Sequence, residues 1–328
     1  MNAIVVYGAT GHTGRFVVEE LVRQNLPVAV SGRNQAALAA QWGDLDIRPA
    51  AVDDPHALDQ ALKNAAAVIN CAGPFATTAD PIIDAAARAR IPYVDVAAEL
   101  EANVSTFARR SDLPVVPAMA FYGGLGDLLT TAALGELTTA DEVHVAYGLS
   151  SWHPTPGTRA AGQVSHDRRD GRRVRFSGGS LQYHQDEVVQ QDWTFPGPLG
   201  RRRVIAEFTM ADVITIPTHV AVPEVRTYMT LEAAGDLADT ETPAPTAVDE
   251  QGRSDQTFVV DVRVKIGGAE RRATATGQDI YAISAPLAVG AVRRILAGET
   301  RTTGVASAGA MFDAVDFLKD LPLTLDLP

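Results

Sequence analysis

The chain has 328 residues, 46% hydrophobic and 21% charged, with a formal net charge of −12 at pH 7. That length suits two domains, and the acidic balance argues against nucleic acid as a partner, which clustered Lys and Arg would have to bind. The longest apolar runs, such as 115–121, are too short to span a bilayer, and a strand-like run starting at Ala3 leaves no room for a leader peptide, so a cytoplasmic protein without a membrane span is expected.

The first third alternates strand and helix signals. Ala3–Tyr7 is a continuous apolar run, as a strand covered on both faces requires. Over 13–25, Val17, Val18, Leu21 and Val22 oppose Arg15, Glu19, Glu20 and Arg23, which predicts an amphipathic helix. A strand follows at Val28–Ser31, then a helix capped by Asn34 that carries Leu38 and Trp42. Asp54-Pro55 reads as an N-cap with proline at the first helical position, and Asp80-Pro81 as a second such start. Further strands are read at Val68–Cys71, Tyr93–Val96 and Val115–Ala118. This order predicts right-handed crossovers in a doubly wound parallel sheet of Rossmann type.

After about Phe121 the pattern changes. Phe258, Val260, Val262, Val264 and Ile266 alternate with Asp261, Arg263 and Lys265, and Gly267-Gly268 then turns the chain into 269–276, a hairpin of half-exposed strands. The second domain is therefore expected to be α+β with a mixed or antiparallel sheet. The stretch 238–256 reads as a surface loop, 286–296 as an amphipathic helix and 312–318 as a short one.

The glycine pattern Gly8-Ala9-Thr10-Gly11-His12-Thr13-Gly14 lies between the first strand and the first helix. There the glycines allow a tight turn, close approach of a pyrophosphate and close helix–strand packing, and the helix N-terminus faces the phosphates. Where an NAD-binding chain usually has an acid for the ribose 2′-hydroxyl, this one has Ser31-Gly32-Arg33-Asn34. Arg33 suits a 2′-phosphate, so NADP(H) is the expected cofactor. Asp53 is read as ending the third strand, either near the adenine or simply solvated. Cys71, Ala72, Gly73, Pro74 and Phe75 end the fourth strand on the nicotinamide side. Cys71 is the single cysteine, which excludes an intrachain disulfide and a Cys-based zinc site; the seven His residues are scattered, and no metal is expected.

With these pieces placed, the chain resembles the saccharopine dehydrogenase-like oxidoreductases, in particular short members similar to mycobacterial trans-acting enoyl reductases. The matching stretches are GATGHTGRFV at 8–17, SGRNQAAL at 31–38, NCAGPF at 70–75, YVDVAAE at 93–99, PTPGTRAAG at 154–162, WTFPGPLG at 193–200 and GQDIYAISAPLAVGAVRRIL at 277–296. The resemblance implies a Rossmann domain at 1–121, completed by 278–328, with the α+β domain at 122–277 inserted between. It also implies a cleft where substrate meets nicotinamide, and a homodimer. The substrate is an amino-acid imine in saccharopine reductases and a carrier-bound enoyl chain in the enoyl reductases. One departure is Thr155-Pro156-Gly157-Thr158, where the family often has Ser-Gly-Gly-Thr.

Hydride transfer usually needs a proton donor beside the reacting carbon. Tyr122, after the last parallel strand, and His153, in the 152–154 segment, are the catalytic candidates; each has a bland alternative, as a packed hinge residue and as an exposed loop histidine. Thr158 and Arg159 are candidates for a substrate anion at a helix start, or for simple capping. Asp95 and Glu99 end the fifth strand and serve as acids or caps. The basic clusters 168–173 and 201–203 are solvated loops or a docking patch for a phosphorylated substrate or carrier. No SxxxYxxxK arrangement is present. The leading reading is an NADP(H)-dependent reductase of a C=C or C=N bond acting on a small-molecule or carrier-bound substrate. The alternatives are a non-catalytic NADP(H) sensor and a structural interaction protein.

Overall fold

Strand and helix alternate through the first 116 residues of the computed structural model, which describes residues 2–328. The elements are β1 (Ile4–Tyr7), α1 (His12–Arg23), β2 (Val28–Gly32), α2 (Gln35–Trp42), β3 (Asp46–Pro49), α3 (Pro55–Leu62), β4 (Ala67–Asn70), α4 (Phe75–Ala89), β5 (Tyr93–Asp95), α5 (Leu100–Phe107) and β6 (Val115–Val116). The six strands are parallel, in the order β3-β2-β1-β4-β5-β6. The order reverses between β1 and β4, and in doubly wound sheets ligands bind in the crevice at that reversal.

Alternate side chains of β1 explain its unbroken apolar run. Ile4 and Val6 pack with Phe16, Val17 and Leu21 of α1, whereas Val5 and Tyr7 pack with Leu58, Leu62 and Ile82 on the opposite face. Asn34 and Asp54 cap α2 and α3 through the amides of Ala37 and Ala57.

Two readings of this region change. No helix starts at Asp80-Pro81: α4 runs from Phe75 and carries Pro81 inside it. Its cap comes from Glu99, far along the chain, which no local pattern reports. Strand β6 is only Val115–Val116, because Ala118 turns to φ 55°.

An irregular turn over Phe121–Leu125 leads into α6 (Gly126–Leu134). Then follow β7 (Glu142–Leu149), α7 (Pro156–Arg168), β8 (Arg173–Ser177), β9 (Ser180–His184), β10 (Gln190–Thr194), β11 (Arg201–Ala206), α8 (Asp212–Thr215), β12 (Val225–Thr230), α9 (Leu231–Ala238), β13 (Thr257–Ile266) and β14 (Ala269–Gln278). The chain ends with α10 (Ser284–Ala297), α11 (Ala308–Met311), α12 (Ala314–Lys319) and β15 (Thr324–Asp326). The second sheet runs β10-β11-β12-β7-β13-β14-β15, with the β8–β9 hairpin beside β12. It is mixed, since β12 and β7 are parallel while their neighbours are antiparallel.

The β13–β14 hairpin turns at Gly267-Gly268 and pairs Ile266 with Ala269. Its polar face is not simply solvated. Asp261 is fully buried, accepting from Trp193 Nε1 at 2.8 Å and from Arg272 at 2.7 and 2.9 Å, under an apolar layer that includes Trp193, Phe195 and Val259. The C-terminal segment serves both sheets. Helix α10 packs against α1, β4 and β5, and the backbone of Gly304 and Ala306 bonds to Val115 at the β6 edge, whereas β15 pairs with β14.

Candidate functional site

The crevice between β1 and β4 is closed in by the glycine loop. Gly8 has φ 85°, and a Cβ there would lie 2.8 Å from the amide nitrogen of Ala72, so backbone meets backbone at the switch point. A Cβ on Gly14 would overlap the Gly8 carbonyl oxygen. Gly11 precedes α1, and no side chain among the described residues caps the helix, leaving its first amides available to an anion. Thr10 and Gly11 are exposed, and His12 and Thr13 half-buried. Trp42 Nε1 donates to the Ala9 carbonyl at 3.0 Å and pins the loop from α2.

At the adenosine end, Ser31 is buried and donates to the Arg48 carbonyl at 2.7 Å, so it shapes β2 rather than facing a ligand. Arg33 is exposed at the end of β2. Asp54 is engaged with the amide of Ala57, and Arg33 forms no ion pair among the described residues. Asn34 is occupied in capping α2. Asp53 lies beyond β3, which ends at Pro49, and is exposed in the turn before α3; the expectation that it ends the strand is corrected. Asp53 and Arg33 both act on the phenol of Tyr7, whose pKa burial raises.

On the nicotinamide side, Cys71 to Phe75 run from β4 into α4. Burial pushes the Cys71 thiol well up, which disqualifies it as a nucleophile. Asn70 accepts from the Ala72 amide at 3.0 Å and donates to Tyr93 at 3.1 Å. Asp95, buried, accepts from the Tyr93 hydroxyl (2.9 Å) and the amides of Ala97 (3.0 Å) and Ala118 (2.9 Å). Burial outweighs these bonds and its pKa is pushed up to about 6. Glu99, also buried, accepts from the amides of Phe75 at 2.7 Å and Ala76 at 3.0 Å. Both carboxyls thus hold the loops at the strand ends.

Helix α7 lies across this crevice. Gly73 faces Ala161, and Arg168 donates to the Ala76 carbonyl at 3.3 Å. Thr155 caps α7 through the amide of Thr158 at 3.0 Å. Thr158 Oγ1 sits 3.0 Å from the hydroxyl of Tyr281, a residue the sequence reading did not single out. That hydroxyl also receives Trp152 Nε1 at 3.4 Å and the Thr155 amide at 3.3 Å, and it reaches the His153 carbonyl at 3.3 Å. Tyr281's ring stands edge-on to His12, 5.1 Å between centroids. Burial lowers the pKa of His12, which favours the neutral ring.

The other candidates fall as follows. Tyr122 is buried against Phe121, Tyr147 and Trp152, and its hydroxyl has no partner among the described residues. His153 is half-buried, and only its carbonyl joins the Tyr281 cluster. Arg159 Nη2 donates to the carbonyls of Asp239 and Thr242, both at 2.9 Å, which ties α7 to the segment after α9. In the basic clusters Arg169 pairs with Glu101, Arg172 with Asp170, and Arg201 with Asp192, so part of the charge is compensated locally.

Residues 4–113 match the family model for the saccharopine dehydrogenase NADP binding domain. Over that stretch the chain is similar to saccharopine dehydrogenases. Its N-terminal domain is an NADP(H)-binding one. A mouse protein called saccharopine dehydrogenase-like oxidoreductase is 26% identical over 185 residues, which are 50% of this chain and 43% of the mouse protein. The human protein of the same name is 32% identical over 117 residues, 29% of this chain and 27% of that one. The chain therefore aligns with less than half the length of these relatives. Apo saccharopine dehydrogenase (L-Glu forming) from Saccharomyces cerevisiae superposes with a TM-score of 0.66 over 100% of both chains, at 12% identity, which establishes a common fold.

Glu99, expected to be an acid or a cap, is a cap, of α4. Two roles escaped sequence reading: Trp42 acts on a backbone carbonyl distant in the chain, which no local signal marks, and Tyr281 joins the α7 cap. Tyr281 does lie within the GQDIYAISAP stretch, where Asp279 directly before Ile280 could have signalled a capping turn.

Proposed function

We propose that this chain is an NADP(H)-dependent oxidoreductase that reduces a C=C or C=N bond. The carrying observation is that the glycine loop opens α1 at the crevice between β1 and β4, Arg33, with no ion pair among the described residues, follows the neighbouring β2, and Ala161 of α7 faces Gly73. In this reading Gly8, Thr10, Gly11, His12, Thr13 and Gly14 hold the pyrophosphate, Arg33 the 2′-phosphate, and Cys71–Phe75 the nicotinamide ribose. Arrangement of two domains over a bound dinucleotide orients the substrate and excludes water.

An apolar unsaturated substrate is favoured over an amino-acid imine. The side chains around Tyr281 include the aromatic Trp152 and Tyr122 beside Thr158 and His12, and Arg159, in the first turn of α7, is tied to carbonyl groups through Nη2. An amino acid would need a cation for its carboxylate. A free or carrier-bound enoyl compound fits, acted on by a cytoplasmic homodimer.

Calorimetry with NADPH and NADH, followed by turnover assays on a panel of enals, enoyl thioesters and imines, tests the reading. Tight binding of NADPH over NADH with oxidation of NADPH by an enoyl compound is expected. Tight binding without turnover of any panel member would favour a sensor, and absence of binding would overturn the proposal.

A further inference from the structure

We propose that Tyr281 is the proton donor of this reduction, its hydroxyl offered to the substrate where the phosphate loop meets α7. The inference deepens the reductase reading and rests on it. A phenol has one proton and two lone pairs. Trp152 Nε1–H and the Thr155 amide can only donate, and both reach the Tyr281 oxygen, at 3.4 and 3.3 Å. They occupy the lone pairs, so the single proton goes outward, to Thr158 Oγ1 at 3.0 Å or the His153 carbonyl at 3.3 Å. A substrate atom can take the place of either acceptor.

The same two N–H groups remain in place for the tyrosinate that proton transfer leaves, and one of them belongs to the residue that caps α7, where the helix dipole favours negative charge. Position is fixed as well. Asp279 accepts from the amides of Tyr281 at 2.9 Å, Ala282 at 3.0 Å and, through its other oxygen, Ser254 at 2.7 Å. On the cofactor side the ring abuts His12, whose Nε2 is buried without a partner among the described residues. The titratable groups facing the phenol are His12 from α1, Asp279 from its own segment and Tyr122 from the turn before α6. Burial raises the Tyr281 pKa, and the bonds from Thr158, Trp152 and Thr155 oppose that rise.

In the step itself the π-bond of C=C or C=N opens. One end accepts a hydride, the two electrons coming from NADPH, which is left as NADP⁺. The other end forms a bond to the Tyr281 proton, and the tyrosinate recovers a proton from water.

The test is a pH titration of tyrosinate absorbance on the full chain, with and without saturating NADP⁺, for wild type, Tyr281→Phe and Tyr122→Phe. The cationic nicotinamide lowers the midpoint of one tyrosine in wild type and in Tyr122→Phe, and this signal is absent from Tyr281→Phe. Persistence of the signal in Tyr281→Phe overturns the assignment, as does its absence from wild type when calorimetry shows NADP⁺ bound. If wild type does not bind NADP⁺, the reductase reading fails and this inference with it. With a turnover substrate in hand, Tyr281→Phe lowers kcat at least about 100-fold while the NADPH Kd stays within about threefold; a kcat loss below about tenfold contradicts the role.

Discussion

Glu99 caps a helix other than its own. It stands at the N-cap position of α5, yet its carboxylate accepts from the amides of Phe75 (2.7 Å) and Ala76 (3.0 Å) at the start of α4. Glu99→Ala leaves both donors without that acceptor and is expected to cost about 1–2 kcal/mol in chemical denaturation. Glu99→Gln, which keeps one carbonyl oxygen, should lose less. Equal stability of Glu99→Ala and wild type would show that the cap contributes nothing.

Arg33→Ala removes an exposed guanidinium that forms no ion pair among the described residues. Loss of a charge-assisted contact to a 2′-phosphate costs roughly 1.5–3 kcal/mol, about a 10- to 150-fold rise in the Kd for NADPH. The Kd for NADH should not move. Parallel weakening of both nucleotides, measured by calorimetry, would place Arg33 outside the phosphate site.

Gly8→Ala puts a Cβ 2.8 Å from the Ala72 nitrogen at a φ of 85°. Backbone strain of roughly 1–3 kcal/mol is expected, together with a loss of NADPH affinity of more than about tenfold, since the loop must move away from β4. Thermal denaturation and calorimetry read the two effects separately. A variant that binds NADPH as wild type does would show that the close approach is dispensable.

Tyr122→Phe deletes a buried hydroxyl that finds no partner among the described residues. A desolvated polar group opposes folding, so its removal should stabilise the chain by about 1 kcal/mol. A drop in stability of similar size would reveal a hydrogen bond to that hydroxyl.

Asp212 is fully buried, with both carboxyl oxygens 2.9 Å from the Tyr147 hydroxyl. Burial pushes its pKa up to about 7, against the opposing Tyr147 bond. An acid that holds its proton more tightly in the folded chain than in the unfolded one stabilises the fold at low pH. That contribution is lost as pH rises from about 4 through about 7. Wild type should therefore lose stability across this window by an amount on the order of a few kcal/mol, and Asp212→Asn, neutral throughout, should lose markedly less. Identical pH profiles of Tm would contradict a buried, protonated Asp212.

The alternation of strand and helix, the glycine loop and the position of Arg33 were legible in the sequence because each rests on short-range pattern. An unbroken apolar run such as Ile4–Tyr7 demands cover on both faces, and glycines between a strand and a helix mark a turn that no side chain would permit. The caps at Asn34 and Asp54 were legible for the same reason, with donor and acceptor three residues apart.

Tertiary structure alone decided which polar groups meet. Glu99 reaches an amide 24 residues away, Trp42 the carbonyl of Ala9 33 residues away, and Tyr281 the side chain of Thr158 123 residues away. Asp261 looked like an outward-facing strand residue and is buried beneath Trp193, which reaches it from β10 at the edge of the same sheet. A hydrogen bond has no preference for sequence distance. Buried donors and acceptors must be satisfied by whatever the packed elements bring within reach, so this chain's local patterns set where the dinucleotide site lies, and the joining of its two sheets selected the side chains that complete it.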